Sequence, residues 1–228
     1  MLLLALDSST PRVTVALVDV AADATVRVLA EHADDAGNRH GELLAPAIQR
    51  VLATAGAAPT DLRAVGCGLG PGPFTGLRVG IVTAASIADG LGVPAYGVCS
   101  LDALALAHRE QPGGLLVVTD ARRKQVYWAR YDEEGRRVDG PEVSAPDDVA
   151  AAARGHVDRV VGPGATQWSD AFAGFAIDES DPWPQANMVA RLVAPRAAAQ
   201  APTEQLTPMY LRRPDARPPT SLKAVTPR

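Results

Sequence analysis

The sequence predicts a mixed α/β protein in which one unit, β-β-β-α-β-α, is built twice, and three observations predict it. Residues 2–19 (LLLALDSSTPRVTVALVD) lie over residues 115–132 (LLVVTDARRKQVYWARYD) without a gap. Two leucines and the acidic pairs Asp7/Asp120 and Asp19/Asp132 then coincide at an offset of 113 residues. A second echo sets RAVGCG at 63–68 beside RVVGPG at 159–164, at an offset of 96. Hydrophobic periodicity returns the same order of elements in both halves, with the segment between the two echoes shortened in the second.

Residues 2–6 are an apolar run ending at Asp7 and read as a first strand. Strands follow at 13–19 and 25–31, rich in valine. A helix at about 40–55 is marked by Leu43, Leu44, Ala47, Ile48, Val51, Leu52 and Ala55, spaced by three and four. Then come a strand at 64–68 and, after a glycine- and proline-rich turn, a helix at about 75–91. The second half offers strands at 115–120, 125–131 and near 136–143, a helix at about 146–154, a strand at 158–162 and a helix around 185–200. A duplicated unit of this kind is what the actin, Hsp70 and sugar-kinase (ASKHA) architecture requires. An N-terminal lobe (1–100) and a C-terminal lobe (101–205) would face each other across a cleft, followed by a Pro/Arg-rich tail (206–228). Two unrelated α/β halves with a chance likeness are the alternative, because short apolar strands resemble one another.

Composition limits the functions available. The 228 residues are 47% hydrophobic, enough for an ordinary packed core. Net charge is −4, so no overall cationic surface exists to hold nucleic acid by phosphate neutralisation. The two cysteines, Cys67 and Cys99, are too few for a disulfide framework and too widely spaced for a zinc knuckle. The apolar start lacks a basic leader region and reads as a strand rather than a signal peptide. No run of eighteen apolar residues occurs, so no membrane partner is expected and the expected address is cytoplasmic.

The stretch GLGPGPFTGLRVG (68–80) looks like a phosphate cradle but meets neither pattern that makes one. A Walker loop needs a lysine before Thr75, and a dinucleotide fingerprint needs a third glycine where Pro73 or Thr75 stands. Pro71 and Pro73 remove two N–H donors. Gly70, Pro71, Gly72, Pro73, Phe74 and Thr75 therefore read as a rigid turn that aims the helix behind it, with Thr75 as N-cap. Along that helix Gly76, Gly80, Ala84 and Ala88 form a stripe almost without side chains. With Leu43, Leu44, Ala47, Ile48 and Val51 of the earlier helix, it suggests two helices offered to a partner's helices; packing on their own sheet is the alternative. In the ASKHA architecture the turn after the first strand of each half holds nucleotide phosphates. Here these turns are Asp7-Ser8-Ser9-Thr10 and Asp120-Ala121-Arg122-Arg123-Lys124, both without glycine. Asp7 could hold a hydrated metal ion and Ser9 or Thr10 a phosphate, but Asp, Ser and Thr are equally plain turn formers.

The core G-P-G-x-F-T-G-x-R-x-G, the start LALDSST, the hairpin DARRKQVYWARYD, the helix start HGELLAP and the late PMYLR (208–212) together resemble the TsaB (YeaZ) family over nearly the whole chain. The resemblance implies a dimerisation subunit of the bacterial tRNA threonylcarbamoyladenosine machinery. Such a subunit pairs as a heterodimer with the catalytic paralogue TsaD and works with the ATPase TsaE; alone it can be a homodimer or a monomer. It implies a structural part, not an enzyme on its own, with no metal and no cofactor beyond weak ATP or ADP binding. The paralogue's H-x-x-x-H metal pair would fall on His40 and the position four residues later, which is Leu44. His40 then reads as a helix-terminal surface histidine, and His32, His108 and His156 have no ligand spacing. No G-x-S-x-G or H-E-x-x-H occurs. The rival reading is an ASKHA-type kinase or ATPase with Asp7 and Thr10 at the phosphate and Gly162, Pro163, Gly164 and Ala165 under the adenosine. Past Leu206, Arg212, Arg213, Arg217, Lys223 and Arg228 face only Asp215, which reads as a disordered basic tail. Contact with tRNA is expected only indirectly or through this tail.

Overall fold

In the computed structural model, which describes residues 1–212, strand β1 (Leu2–Asp7) is central to a five-stranded sheet. Its neighbours are β2 (Arg12–Val20) and β3 (Val26–Asp35) on one side and β4 (Leu62–Gly68) and β5 (Ala95–Val98) on the other. β1 is buried on both faces, and its side chains alternate as the pleat demands. Leu4 and Leu6, with Val13, Val15 and Leu17, pack toward helices α1 (His40–Ala55) and α2 (Phe74–Leu91). Leu3 and Ala5, with Ala16 and Val18, form the opposite core.

The second sheet repeats the plan. Its members are β6 (Leu115–Asp120), β7 (Val126–Tyr131), β8 (Arg137–Ser144), β9 (Arg159–Val161) and β10 (Ala176–Asp178). The strand order β3-β2-β1-β4-β5 recurs as β8-β7-β6-β9-β10, and in both sheets the first pairings are antiparallel and the later ones parallel. The offsets of 113 and 96 thus superpose β1 and β2 on β6 and β7, and β4 on β9. The fold is the duplicated, ASKHA-like one that the pattern predicts.

Two expectations are corrected. The helix expected around 185–200 exists as α6 (Ala186–Ala198), but it does not close the second unit. Val189, Ala190, Val193 and Ala194 lie against Leu3, Ala5, Ala16 and Val18 of the first sheet. Gly66 makes room, since a Cβ there would come within 3.0 Å of the Val193 side chain. In the second unit, α4 (Pro146–Ala153) precedes β9, and the five-residue α5 (Pro163–Gln167) follows it. The second correction concerns the expected tail. Residues 206–212 are docked: Leu206 packs on the first core, the Met209 amide donates to the Leu69 carbonyl at 2.9 Å, and Arg212 donates to the Ala121 carbonyl at 3.0 Å and to Gln125 Oε1 at 2.8 Å. Arg213, Asp215, Arg217, Lys223 and Arg228 lie outside the described residues. Among the described residues α2 alone is long and apolar enough to cross a membrane by length and composition, and its buried face lies on the first core.

Helix α3 (Ser100–Ala107) leads from the first sheet to the second and ends in a clamp. His108, buried at its C-terminus, hydrogen-bonds Asp178 through Nδ1 at 2.9 Å. The Ser180 amide and hydroxyl donate to the other carboxylate oxygen. Burial works to raise the Asp178 pKa but is outweighed by Ser180 and then His108, which bring it down to about 2. A carboxylate depressed in the folded state lends stability that is present above the ordinary carboxylate range and lost as pH falls through the folded value. The melting temperature should therefore drop between about pH 4 and about pH 2, and Asp178→Asn should flatten that drop. Equal acid slopes in both proteins would contradict the clamp.

Candidate functional site

The first turn sits where β1 ends, and its four polar residues, Asp7, Ser8, Ser9 and Thr10, are all buried. Asp7 Oδ1 accepts from the Ser9 amide at 2.8 Å and the Ser9 hydroxyl at 2.7 Å. Asp7 Oδ2 accepts from Ser100 Oγ at 2.5 Å, and Ser100 Oγ in turn accepts from the Gly70 amide at 3.1 Å. Burial raises the Asp7 pKa, against the hydrogen bonds from Ser100 and Ser9. The carboxylate lies directly against Gly68, where any Cβ would overlap it, and Gly72 is pressed equally closely on the Ser9 carbonyl. The glycine- and proline-rich loop is therefore seated on the first turn and encloses the Asp7 carboxylate. Ser8 Oγ donates to the Gly76 carbonyl at 2.8 Å.

His40 is not the surface histidine expected. It is buried, and its Nε2–H donates to the Thr10 carbonyl at 2.7 Å, tying the start of α1 to the first turn. Leu44, four residues on, is buried in the first core. Among the described residues no three His, Cys, Asp or Glu side chains stand close enough together to hold a metal ion. Cys67 and Cys99 are buried; burial, then Asp102, pushes the Cys99 thiol up to about 12, so it is no ready thiolate.

The stripes read as partner surface turn inward. Gly76 faces the His40 ring, with 2.8 Å from a Cβ position to Nε2. Gly80 faces Ser8 Oγ and Leu6, and Ala84 and Ala88 are buried in the first core. Leu44, Ala47, Ile48 and Val51 of α1 are buried in the same core, while Leu43 is half-buried at its edge. These nine positions hold the lobe together, because a side-chain-free stripe permits close approach to any neighbour, the chain's own first turn included. The outward face of α2 is a different set: Val82, 62% exposed, flanked by half-buried Val79, Thr83 and Ile87 and by exposed Ser86. Thr75 is also corrected. The N-cap of α2 is Pro73, no side chain caps the helix, and Thr75 is exposed within its first turn. Gly70 (φ 87°) and Pro71 are buried, with the Gly70 carbonyl accepting from the Ser100 amide at 2.8 Å.

The second turn stands across a cavity of about 270 Å³ whose lining includes Ser8, Thr10, His40, Phe74, Gly76 and Arg122. Arg122, Arg123 and Lys124 are all exposed and all left-handed, with φ of 63°, 51° and 59°. Each such residue costs on the order of 1 kcal/mol without glycine. Asp120 Oδ1 accepts from the Arg122 amide at 2.9 Å and steadies the turn. The stretch assigned to adenosine by the rival reading is packed on β6 instead: Gly162 and Gly164 close on Val118, and Ala165 is fully buried. The sequence patterns gave no part to Ser100, in a helix too short to announce itself, and quoted Tyr210 only within PMYLR, without its ring contact on Phe74 at 4.8 Å.

A duplicated ASKHA-like fold whose first turn has its carboxylate enclosed by the chain's own loop is the class that fold and site define. The family model for TsaD, tRNA N6-adenosine threonylcarbamoyltransferase, matches residues 31–176. A Mycobacterium tuberculosis protein is 43% identical over 215 residues, covering 94% of this chain and 93% of its own. The Escherichia coli tRNA threonylcarbamoyladenosine biosynthesis protein TsaB is 37% identical over 139 residues, 59% of this chain and 58% of that protein. The solved structure of YeaZ from Pseudomonas aeruginosa matches with a TM-score of 0.73 at 28% identity, over 92% of this chain and 100% of that one. The chain belongs to the TsaD-type family, in its TsaB/YeaZ group.

Gly80→Leu should cost about 3 kcal/mol or more in urea unfolding, since the added side chain enters Ser8 and Leu6, whereas Thr75→Ala should change stability by no more than about 0.5 kcal/mol. A stable Gly80→Leu protein would return the stripe to the surface.

Proposed function

We propose that the chain is a non-catalytic scaffold subunit of a tRNA N6-threonylcarbamoyladenosine transferase assembly. It pairs as a heterodimer with a TsaD-type paralogue, beside a TsaE-type ATPase, to support modification of the adenosine next to the anticodon. The observation that carries this reading is the enclosure of Asp7. The acid best placed to hold a metal or phosphate in the first lobe is spent on Ser9 and Ser100, under a loop that lies on the turn. The family relationship supplies the pathway, since the TsaB relatives carry the name of threonylcarbamoyladenosine biosynthesis.

No metal or cofactor is assigned to the chain. The cavity beside Arg122 is at the small end for ligand pockets, so any ATP or ADP binding should be weak. With the inner stripes spent on the core, the docking face for the paralogue is the outward side of α2 around Val82, Thr83, Ser86 and Ile87, bordered by Leu43 of α1. A homodimer formed in the paralogue's absence would use the same face. The working place is the cytoplasm.

Val82→Arg should weaken co-elution with the TsaD-type paralogue at least tenfold while leaving the melting temperature unchanged, because a charge is buried without a partner at the centre of the contact. In a reconstituted reaction containing that paralogue, the ATPase, threonylcarbamoyl-adenylate and tRNA, omitting the chain should abolish or severely reduce modified adenosine. Full product without the chain, or ATP turnover by the chain alone, would overturn the proposal.

A further inference from the structure

Although the protein carries a net charge of −4, one region beside the cavity lined by Phe74 and Arg122 concentrates cations from three separate segments. Arg122, Arg123 and Lys124 project from the β6–β7 turn, Arg212 is anchored on the Ala121 carbonyl immediately behind that turn, and Arg78 stands on the first turns of α2. Asp120 accepts from the Arg122 amide through Oδ1 at 2.9 Å, and its Oδ2 stands 3.7 Å from Arg122 Nε. The region also carries rings. Tyr210, 42% exposed, stacks on Phe74 at 4.8 Å, and the Arg78 guanidinium lies 5.4 Å from each ring centroid while its Nε donates to the Tyr210 hydroxyl at 2.6 Å. Phe74 and Arg122 line the same cavity, so the rings and the cationic turn are neighbours.

From this geometry we infer that the surface formed by Arg122, Lys124, Arg212, Arg78 and the Phe74–Tyr210 pair is an RNA-binding surface that takes the phosphodiester backbone on its cations and an unpaired base on the Tyr210 ring. Cations alone would suit any polyanion. An exposed ring beside arginine selects one with unstacked bases, because base–aromatic stacking tolerates any sequence while phosphate neutralisation supplies affinity. The strained conformation of residues 122–124 fits this use. Three consecutive left-handed non-glycine residues hold three cations at a hairpin tip, where one glycine would relieve the backbone and remove a charge. Direct contact through the described part of the molecule replaces contact limited to the terminal tail. That the RNA is tRNA rests on the function proposed above; the charge and the rings do not.

The test uses the full chain and fluorescently labelled tRNA, with anisotropy followed from 50 mM salt upward. The double variant Arg122→Gln/Lys124→Gln should bind about tenfold more weakly, and the slope of log affinity against log salt should shrink by roughly two. Tyr210→Ala should weaken binding at least about fivefold at an unchanged salt slope, as loss of stacking does. A charge-matched control, Arg27→Gln/Arg136→Gln, removes two exposed cations elsewhere and should bind as the parent does. All variants should melt with the parent. Absence of binding by the parent at 50 mM salt, an unchanged slope in the double variant, or equal weakening in the control would each overturn the inference. Binding is read on RNA alone, without transfer chemistry. A chain that binds RNA here yet is dispensable for modification sinks the earlier proposal and spares this one, and a chain needed for modification whose variants bind RNA unchanged does the reverse.

Discussion

The buried Asp7 carboxylate is the constraint on which the first lobe depends. Taking an ionised carboxylate out of water costs several kcal/mol unless its oxygens are met by donors. The chain meets them with a backbone amide and two hydroxyls from two regions far apart in sequence, Ser9 beside it and Ser100 at the start of α3. Ser100 passes the constraint on, since it bonds Gly70 through both its hydroxyl and its amide. One acid thus joins the end of β1, the glycine- and proline-rich loop and the helix that leads to the second sheet. Hydrogen bonds to a charged group contribute about 1.5–3 kcal/mol each, so loss of any partner leaves an unpaired buried group whose cost exceeds an ordinary surface change.

The same arrangement decides what the lobe offers to the outside. With the loop seated on Ser9, the start of α2 is brought against His40 and Ser8, and only glycine at positions 76 and 80 permits so close an approach. The small-residue stripe is thereby spent inside the lobe. What α2 presents outward is Val82 with Thr83 and Ser86 beside it and, at its N-terminal end, Arg78 and Phe74, on which Tyr210 packs.

Much of the fold was legible because β1 and β6 are continuous apolar runs, their halves align without a gap, and α1 is strongly periodic; α1 begins and ends where its apolar spacing says. β5, β10 and α5 have four, three and five residues, too few for a period to register. Helix α6 was legible as a helix but not by its place, since periodicity shows that a helix buries one face without saying against which sheet. The stripes on α1 and α2 failed for that same reason: Gly80 looks alike whether it faces Ser8 or another chain. Thr75 satisfied the preference for a cap residue, yet Pro73, fixed at φ −59°, ends the loop two residues earlier. Asp7 was legible as a candidate, but whether it opens to a phosphate or is sealed depends on Gly68 and Ser100, which only the folded chain brings to it. The family was legible in its motifs because they encode these same close contacts.

The most direct measurement of the central claim is threonylcarbamoyladenosine formation by the reconstituted assembly containing Asp7→Asn protein, read together with that protein's melting temperature. If Asp7 is a structural tie, the melting temperature falls by several degrees, while modification per folded molecule stays within about twofold of the parent. An unchanged melting temperature with modification reduced a hundredfold or more would mean that Asp7 acts in the chemistry, and the account of a sealed, non-catalytic first turn would be wrong.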